Sequence, residues 1–247
     1  MSEPIQAMVV DLSHWDPADD YEAVRADGIV GVIYKATEGQ GYTDPTYVQQ
    51  QKAAKDAGLC WGAYHFADGS NVEGQVRNFM EFACPDRDEL FCLDWEDNPT
   101  GAGMMSADQA RQWITQVEIE LDRPGECVIY GGNTLKENLG SEDSFFASRR
   151  LWLCQYGSTP KLPDCWDKYW LWQYTDGESG PSPHTVDGIG PCDINSYLGT
   201  EGELRAEWAS GTPGPTPAPV ETAVIDITVP DSVPLVVRVN GVVVLGD

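Results

Sequence analysis

The 247-residue sequence is poor in basic residues: 15 Lys and Arg stand against 40 Asp and Glu, a formal net charge of -25. Affinity for phosphate backbones comes from Lys and Arg releasing counterions, so this shortage argues against nucleic acid and anionic membrane surfaces as partners. No uninterrupted apolar stretch approaches the ~20 residues of a membrane helix, so membrane insertion is not expected. No basic segment leading into an apolar one opens the chain, so no signal peptide is read and a cytoplasmic start is expected. The seven cysteines are an odd number with no C-x-x-C spacing, which favours buried thiols over a disulfide framework. One bridge between Cys165 and Cys192 is left open. His14, His65 and His184 do not cluster with the cysteines, so neither a metal nor another cofactor is expected.

What is present is a recurrence of strand-length apolar runs: "AMVVDL" (7–12), "VGVIYKA" (30–36), "LCWGAYHFA" (59–67), "LFCLDWE" (90–96), "CVIYGG" (127–132), "LWLCQYG" (151–157), "YWLWQYT" (169–175) and "CDINSYL" (192–198). That is about the number a closed barrel uses. Helical segments separate the early runs: "DPADDYEAVRADG", "DPTYVQQQKAAKDAG", "NVEGQVRNFMEFA" and "SADQARQWITQVEIEL". Pro17 and Pro45 sit where a first helical turn tolerates proline, and Gly28 and Gly58 where a helix end favours glycine. Alternating strands and helices predict a parallel sheet. After about residue 140 the helical segments shrink. The expected fold is therefore an α/β, TIM-like barrel of modified (β/α)5(β)3 form, with an irregular strand-rich closure.

This catalytic-sized domain is expected to span residues 1–210. The "GTPGPTPAP" stretch at 211–219 is a semi-rigid Pro and Gly linker. Residues 220–247 form a small β-rich tail, with Asn240-Gly241 as a hairpin signal. So short a tail cannot bury a core alone and would pair with the main domain or with other copies of itself, making a homo-oligomer.

The chemistry gathers at strand ends. In "LFCLDWEDNP" Asp94 and Glu96 lie two apart, so on a strand they project to one face while Trp95 takes the other. Both occupy the carboxyl end, where barrel enzymes carry their sites. Asp11 closes the first run and Asp193 opens the last, and closure of the barrel would make those two strands neighbours. Crowded carboxylates desolvate and repel one another, which keeps one protonated as a general acid, as glycoside hydrolysis requires. Aromatic residues crowd the same runs and offer faces for sugar rings. Tyr64 and Tyr130 are the preferred substrate-binding candidates, followed by Trp172, whose facing is ambiguous.

Two rival classes stand beside an enzyme of this kind. A carbohydrate-binding barrel without catalysis would hold peptidoglycan or chitin on the aromatics, but would gain nothing from desolvated acids. A metal-dependent deacetylase would need paired histidines near the acids, and no such spacing exists.

The stretches "VVDLSHWDP", "GVIYKATEGQGYTDPTY", "AAKDAGLCWGAYHFA", "LDWED", "VIYGG", "LWLCQYG", "YWLWQYT" and "CDINSYLG", in this order over roughly residues 8–199, resemble the family 25 glycoside hydrolases, lysozymes of the N-acetylmuramidase type. The resemblance implies cleavage of the beta-1,4 bond between N-acetylmuramic acid and N-acetylglucosamine in the peptidoglycan of bacterial cell walls. It assigns Glu96 as general acid and base, Asp94 as the group that orients and stabilises, and Asp11 and Asp193 as the rest of an acidic floor. It implies a retaining, substrate-assisted route, in which the 2-acetamido oxygen attacks the anomeric carbon, with direct inverting attack by water as the open alternative. A phage endolysin, held in the host cytoplasm until lysis, is the implied setting, with a bacterial autolysin as its rival. The cysteines, the negative charge and the small tail depart from a typical member, and no wall-anchoring module of choline-binding or basic type is seen.

Overall fold

The structure is a computed structural model that describes residues 5–99, 101–209, 237–239 and 242–245. Eight strands close into a barrel: β1 (Ala7–Leu12), β2 (Gly31–Glu38), β3 (Cys60–Phe66), β4 (Leu90–Asp94), β5 (Val128–Gly131), β6 (Arg150–Cys154), β7 (Leu171–Thr175) and β8 (Asp193–Tyr197). Helices α1 (Tyr21–Ala26), α2 (Tyr47–Asp56), α3 (Val72–Phe82) and α4 (Ala107–Glu120) follow the first four strands in turn. The short α5 (Asn133–Asn138) and α6 (Ser144–Ala147) follow β5, and no helix separates β6, β7 and β8.

Strands β1 to β7 pair in parallel. The all-parallel expectation fails at the last strand: β8 runs antiparallel to both β7 and β1. A parallel strand needs a crossover long enough to return to the starting end. The segment between β7 and β8 instead folds into a local ribbon, Thr185–Val186 against Gly190–Pro191, and the chain comes back from the end it had reached.

Local sequence explains where the helices begin and stop. The Asp20 side chain accepts from the amides of Glu22 and Ala23, and Ser106 and Gln109 form a reciprocal capping box on α4. Pro17 and Pro45 precede the caps Asp20 and Thr46 and so lie outside the first turns. Gly28 and Gly58 follow α1 and α2 with φ of +100° and +79°, the left-handed conformation that ends a helix at little steric cost.

Strand alternation splits the core in two. Outward residues such as Tyr34, Phe91, Leu93, Ile129 and Leu153 pack with Phe79, Trp113, Ile114 and Val117 of the helices. Inward residues Ile33, Leu90, Cys92, Val128, Trp152 and Leu171 join Leu204 and Trp208 of a further helix, α7 (Glu201–Ala209). Trp208 plugs the N-terminal end of the barrel. Its Nε1 donates to the Trp61 carbonyl at 2.8 Å, and a Cβ placed on Gly31 would stand 2.4 Å from its ring. With apolar side chains filling that end, the polar inward residues are left at the other.

All seven cysteines are free thiols, so the bridge left open between Cys165 and Cys192 is not formed. No helix among the described residues is long and apolar enough to cross a membrane. A second unit, Pro217–Asp247, contains the antiparallel pair Val237–Val239 and Val242–Leu245, with Val239 opposite Val242, flanking the Asn240-Gly241 signal. The linker at 211–219 and most of the tail lie outside the described residues, as does the expected pairing of the tail.

Candidate active site

Asp94 is the last residue of β4, and the amide of Trp95 extends the ladder by donating to the Tyr130 carbonyl at 3.0 Å. Trp95 faces outward, stacked on Phe146, with Nε1 donating to the Met105 carbonyl at 2.8 Å. Glu96 is therefore turned to the same side as Asp94. On the seam where the barrel closes, Asp11 and Asp193 are direct register partners. Because β8 is antiparallel, its first residue lies at the same end as the last residues of the parallel strands. The four acids thus meet at one mouth.

Their electrostatics follow from that proximity. Burial, repulsion from Glu96 and then from Asp11 hold the Asp94 carboxyl well above the usual range, against the opposing pull of Lys35. Burial and Asp97 raise Glu96, again against Lys35. Burial pushes Asp11 up to about 7, although hydrogen bonds from Asn195 and Gln173 oppose the shift. Asp193 is pushed up to about 9 by burial and by the charges of Asp11 and Asp16. Lys35, the cation acting on Asp94 and Glu96, is tethered to Glu38 at 2.5 Å.

The acids differ in how they are bonded. Asp11 accepts from Gln173 Nε2 at 2.8 Å and from Asn195 Nδ2 at 2.7 Å, so both its oxygens are occupied. Gln173 Oε1 in turn accepts from the hydroxyls of Tyr130 (2.9 Å) and Tyr156 (3.0 Å), and Asn195 Oδ1 accepts from Trp152 Nε1 at 2.5 Å. Asp94 Oδ1, by contrast, is buried without any hydrogen-bond partner. An orphaned buried oxygen is costly unless something arrives to use it.

Tyr64 lies in the mouth, where Asp94 and Asp11 act on it beyond the effect of its burial. Tyr130 is there too, its ring edge-on to Trp152 and its hydroxyl committed to Gln173. Trp172 is not brought to the acids. It packs on the outer face with Tyr174 and Tyr169, its Nε1 donating to the Gln155 carbonyl at 2.7 Å, and the inward position belongs to Gln173. Gln173, Asn195, Asp16 and Lys35 went unread in the sequence. The signal for two of them was there: Asn195 is two residues from Asp193, and Gln173 is a polar residue inside an apolar run.

Neither of the two histidines nearest the acids in sequence bonds any of the four. Both ring nitrogens of His65 are engaged outside the barrel, by Thr37 at 2.7 Å and Gln75 at 3.0 Å, while His14 bonds Asp44 at 2.9 Å. A concavity of about 500 Å³ around Arg150, Trp170 and Tyr197 opens at the N-terminal end, and none of the four acids lines it. A cavity alone does not place chemistry. The acid cluster does.

A closed α/β barrel with clustered carboxylates of raised pKa at its C-terminal mouth suits glycoside hydrolysis. Comparison with known proteins agrees. Residues 10–182 match the family model described as glycosyl hydrolases family 25. The chain is similar to lysozyme M1 of Streptomyces globisporus, with 29% identity over 210 residues, covering 80% of this chain and 69% of that protein. Among solved structures it is similar to a bacterial lysozyme from Streptomyces coelicolor (29% identity, TM-score 0.70, 83% of this chain and 98% of that one). A muramidase from Acremonium alcalophilum is likewise similar (30% identity, TM-score 0.68, 83% and 100%). The chain belongs to glycosyl hydrolases family 25, and it is an enzyme, a glycoside hydrolase of the lysozyme type.

Proposed function

We propose that the enzyme hydrolyses the beta-1,4 bond between N-acetylmuramic acid and N-acetylglucosamine in peptidoglycan, by a retaining, substrate-assisted route. The observation that carries this reading is the buried, unpartnered Oδ1 of Asp94 beside Glu96. In the free enzyme both carboxyls are held above their usual range, so the pair enters the reaction with a proton available. Glu96, the less buried of the two, protonates the leaving oxygen. The substrate's 2-acetamido oxygen attacks the anomeric carbon as that bond breaks. Asp94 accepts the acetamido N–H on its free oxygen and stabilises the oxazolinium ion, a positive charge that in turn favours its ionised form. Glu96, now a carboxylate, takes a proton from the water that opens the ring. Asp11 and Asp193 complete the floor, with Asp11 fixed by Gln173 and Asn195. Tyr64 and Tyr130 flank the sugar.

The experiment is digestion of purified peptidoglycan followed at once by proton NMR of the new reducing end. A β-anomer formed first supports the substrate-assisted path, whereas an α-anomer formed first means direct attack by water. For the biological setting we propose lysis of a host wall by a phage endolysin, with bacterial autolysis as the rival; the same chemistry serves both.

A further inference from the structure

We propose that Trp15 is a stacking platform for a pyranose ring of the glycan chain at the rim of the acidic mouth, an inference that rests on the reading of that mouth as a glycan-cleaving site. Trp15 is 83% exposed, while the other eight of the nine tryptophans are buried. A lone exposed apolar side chain is ordinary and signals nothing by itself; what distinguishes Trp15 is that its loop fixes it beside the acids.

The loop that carries it is built to hold it there. The Trp15 amide donates to Ser13 Oγ at 3.2 Å, and the Ser13 amide donates to Asp16 Oδ1 at 2.8 Å. On one side the indole is backed by the His14 ring, 4.5 Å away, and that imidazole is fixed by Asp44 at 2.9 Å and the Tyr42 hydroxyl at 3.0 Å. Ordering this loop before a ligand arrives lowers the entropic cost of binding.

Its position joins the mouth from two directions. Asp16, the next residue, is close enough to raise Asp11 and Asp193. Tyr42, whose ring lies 5.9 Å from His14, also sits under Lys35 at 5.3 Å, the cation that acts on Asp94 and Glu96. The platform is therefore continuous with the catalytic acids, and a polymer lying across the mouth meets it beyond the ring being cleaved. An aromatic plane suits the C–H face of a pyranose and is indifferent to the peptide stems that peptidoglycan carries.

Because Trp15 is the exposed member of its class, its fluorescence reports the contact directly. The full-length Glu96→Gln protein, which should bind without turnover, is titrated with a chitin oligomer while calorimetry follows binding and acrylamide quenching follows Trp15. The expected result is that saturating oligomer shields the quenchable emission, and that Trp15→Ala in the same background weakens binding about tenfold, with Trp15→Tyr restoring most of it. Binding with unchanged quenching and an unchanged Kd in Trp15→Ala overturns the platform and leaves the glycan-cleaving reading intact. Absence of binding to both the chitin oligomer and a soluble muropeptide overturns the two together.

Discussion

Gln173 and Asp11, 162 positions apart in the chain, are joined by a 2.8 Å hydrogen bond in which the Gln173 amide donates to Asp11 Oδ1. The same Gln173 accepts from Tyr130 and Tyr156. One buried amide therefore spans the seam between the parallel part of the barrel and its first strand, and it holds an acid in register with Asp193.

Replacing Gln173 with Leu leaves two tyrosine hydroxyls and one carboxylate oxygen without their partner. The expected cost is about 1–3 kcal/mol for the orphaned groups. The hydrogen bond from the Gln173 amide also lowers the pKa of Asp11 against its burial, so its loss should move the acid limb of the kcat/KM profile to higher pH. Thermal melts and a pH profile check both, and a stable variant with an unmoved profile contradicts the assigned role.

The acidic floor fixes how stability depends on pH. Asp11 and Asp193 have folded-state pKa values of about 7 and about 9, above the ordinary 3.8. The folded state then holds more protons than the unfolded state through that window, and stability falls as pH rises from about 4 toward 9. Asp44 has the opposite sign: its burial is outweighed by hydrogen bonds from Thr46 and His14, and its contribution is lost on acidification. The Tm is expected to peak near about pH 5. Asp193→Asn should flatten the alkaline slope and raise Tm at about pH 8, by about 2–4 °C for each kcal/mol recovered. A Tm that climbs between those two values of pH contradicts the assignment.

Asp94→Asn is expected to separate stability from catalysis. The buried Asp94 carboxyl has an oxygen with no partner, so the variant is expected to fold without loss of Tm. Its kcat on peptidoglycan should fall by about 100-fold or more, the scale of losing one preorganised group at a developing charge. Calorimetric melts and initial rates measure the two effects, and an active Asp94→Asn enzyme removes substrate assistance as the route.

The positions of these acids were largely legible in the sequence, because a period of two places Asp94 with Glu96 and barrel closure places Asp11 beside Asp193. The facing of Trp172 was not. In "YWLWQYT" both faces of the strand are buried, so the alternation that sets register carries no contrast between inside and outside. The direction of β8 was hidden for a related reason: pairing direction follows from the connection, and the ribbon between β7 and β8 has no strong periodicity. Helix α7 escaped notice because it buries little besides Leu204 and Trp208, four residues apart in an otherwise polar segment.

That small helix makes a strong structural prediction. Trp208 fills the N-terminal end of the barrel against Gly31 and is 1% exposed. Trp208→Ala should cost about 3–5 kcal/mol, visible as a lowered denaturation midpoint. A cost below about 1 kcal/mol would show that the barrel end packs without it.

Glu96 as the acid of a muramidase is tested most directly by comparing wild type with Glu96→Gln on purified peptidoglycan, following reducing-sugar release and identifying the fragments by mass spectrometry. The expected result is fragments ending in reducing N-acetylmuramic acid from the wild type and their loss in the variant. Undiminished release by Glu96→Gln, or wild-type fragments ending in reducing N-acetylglucosamine, would contradict it.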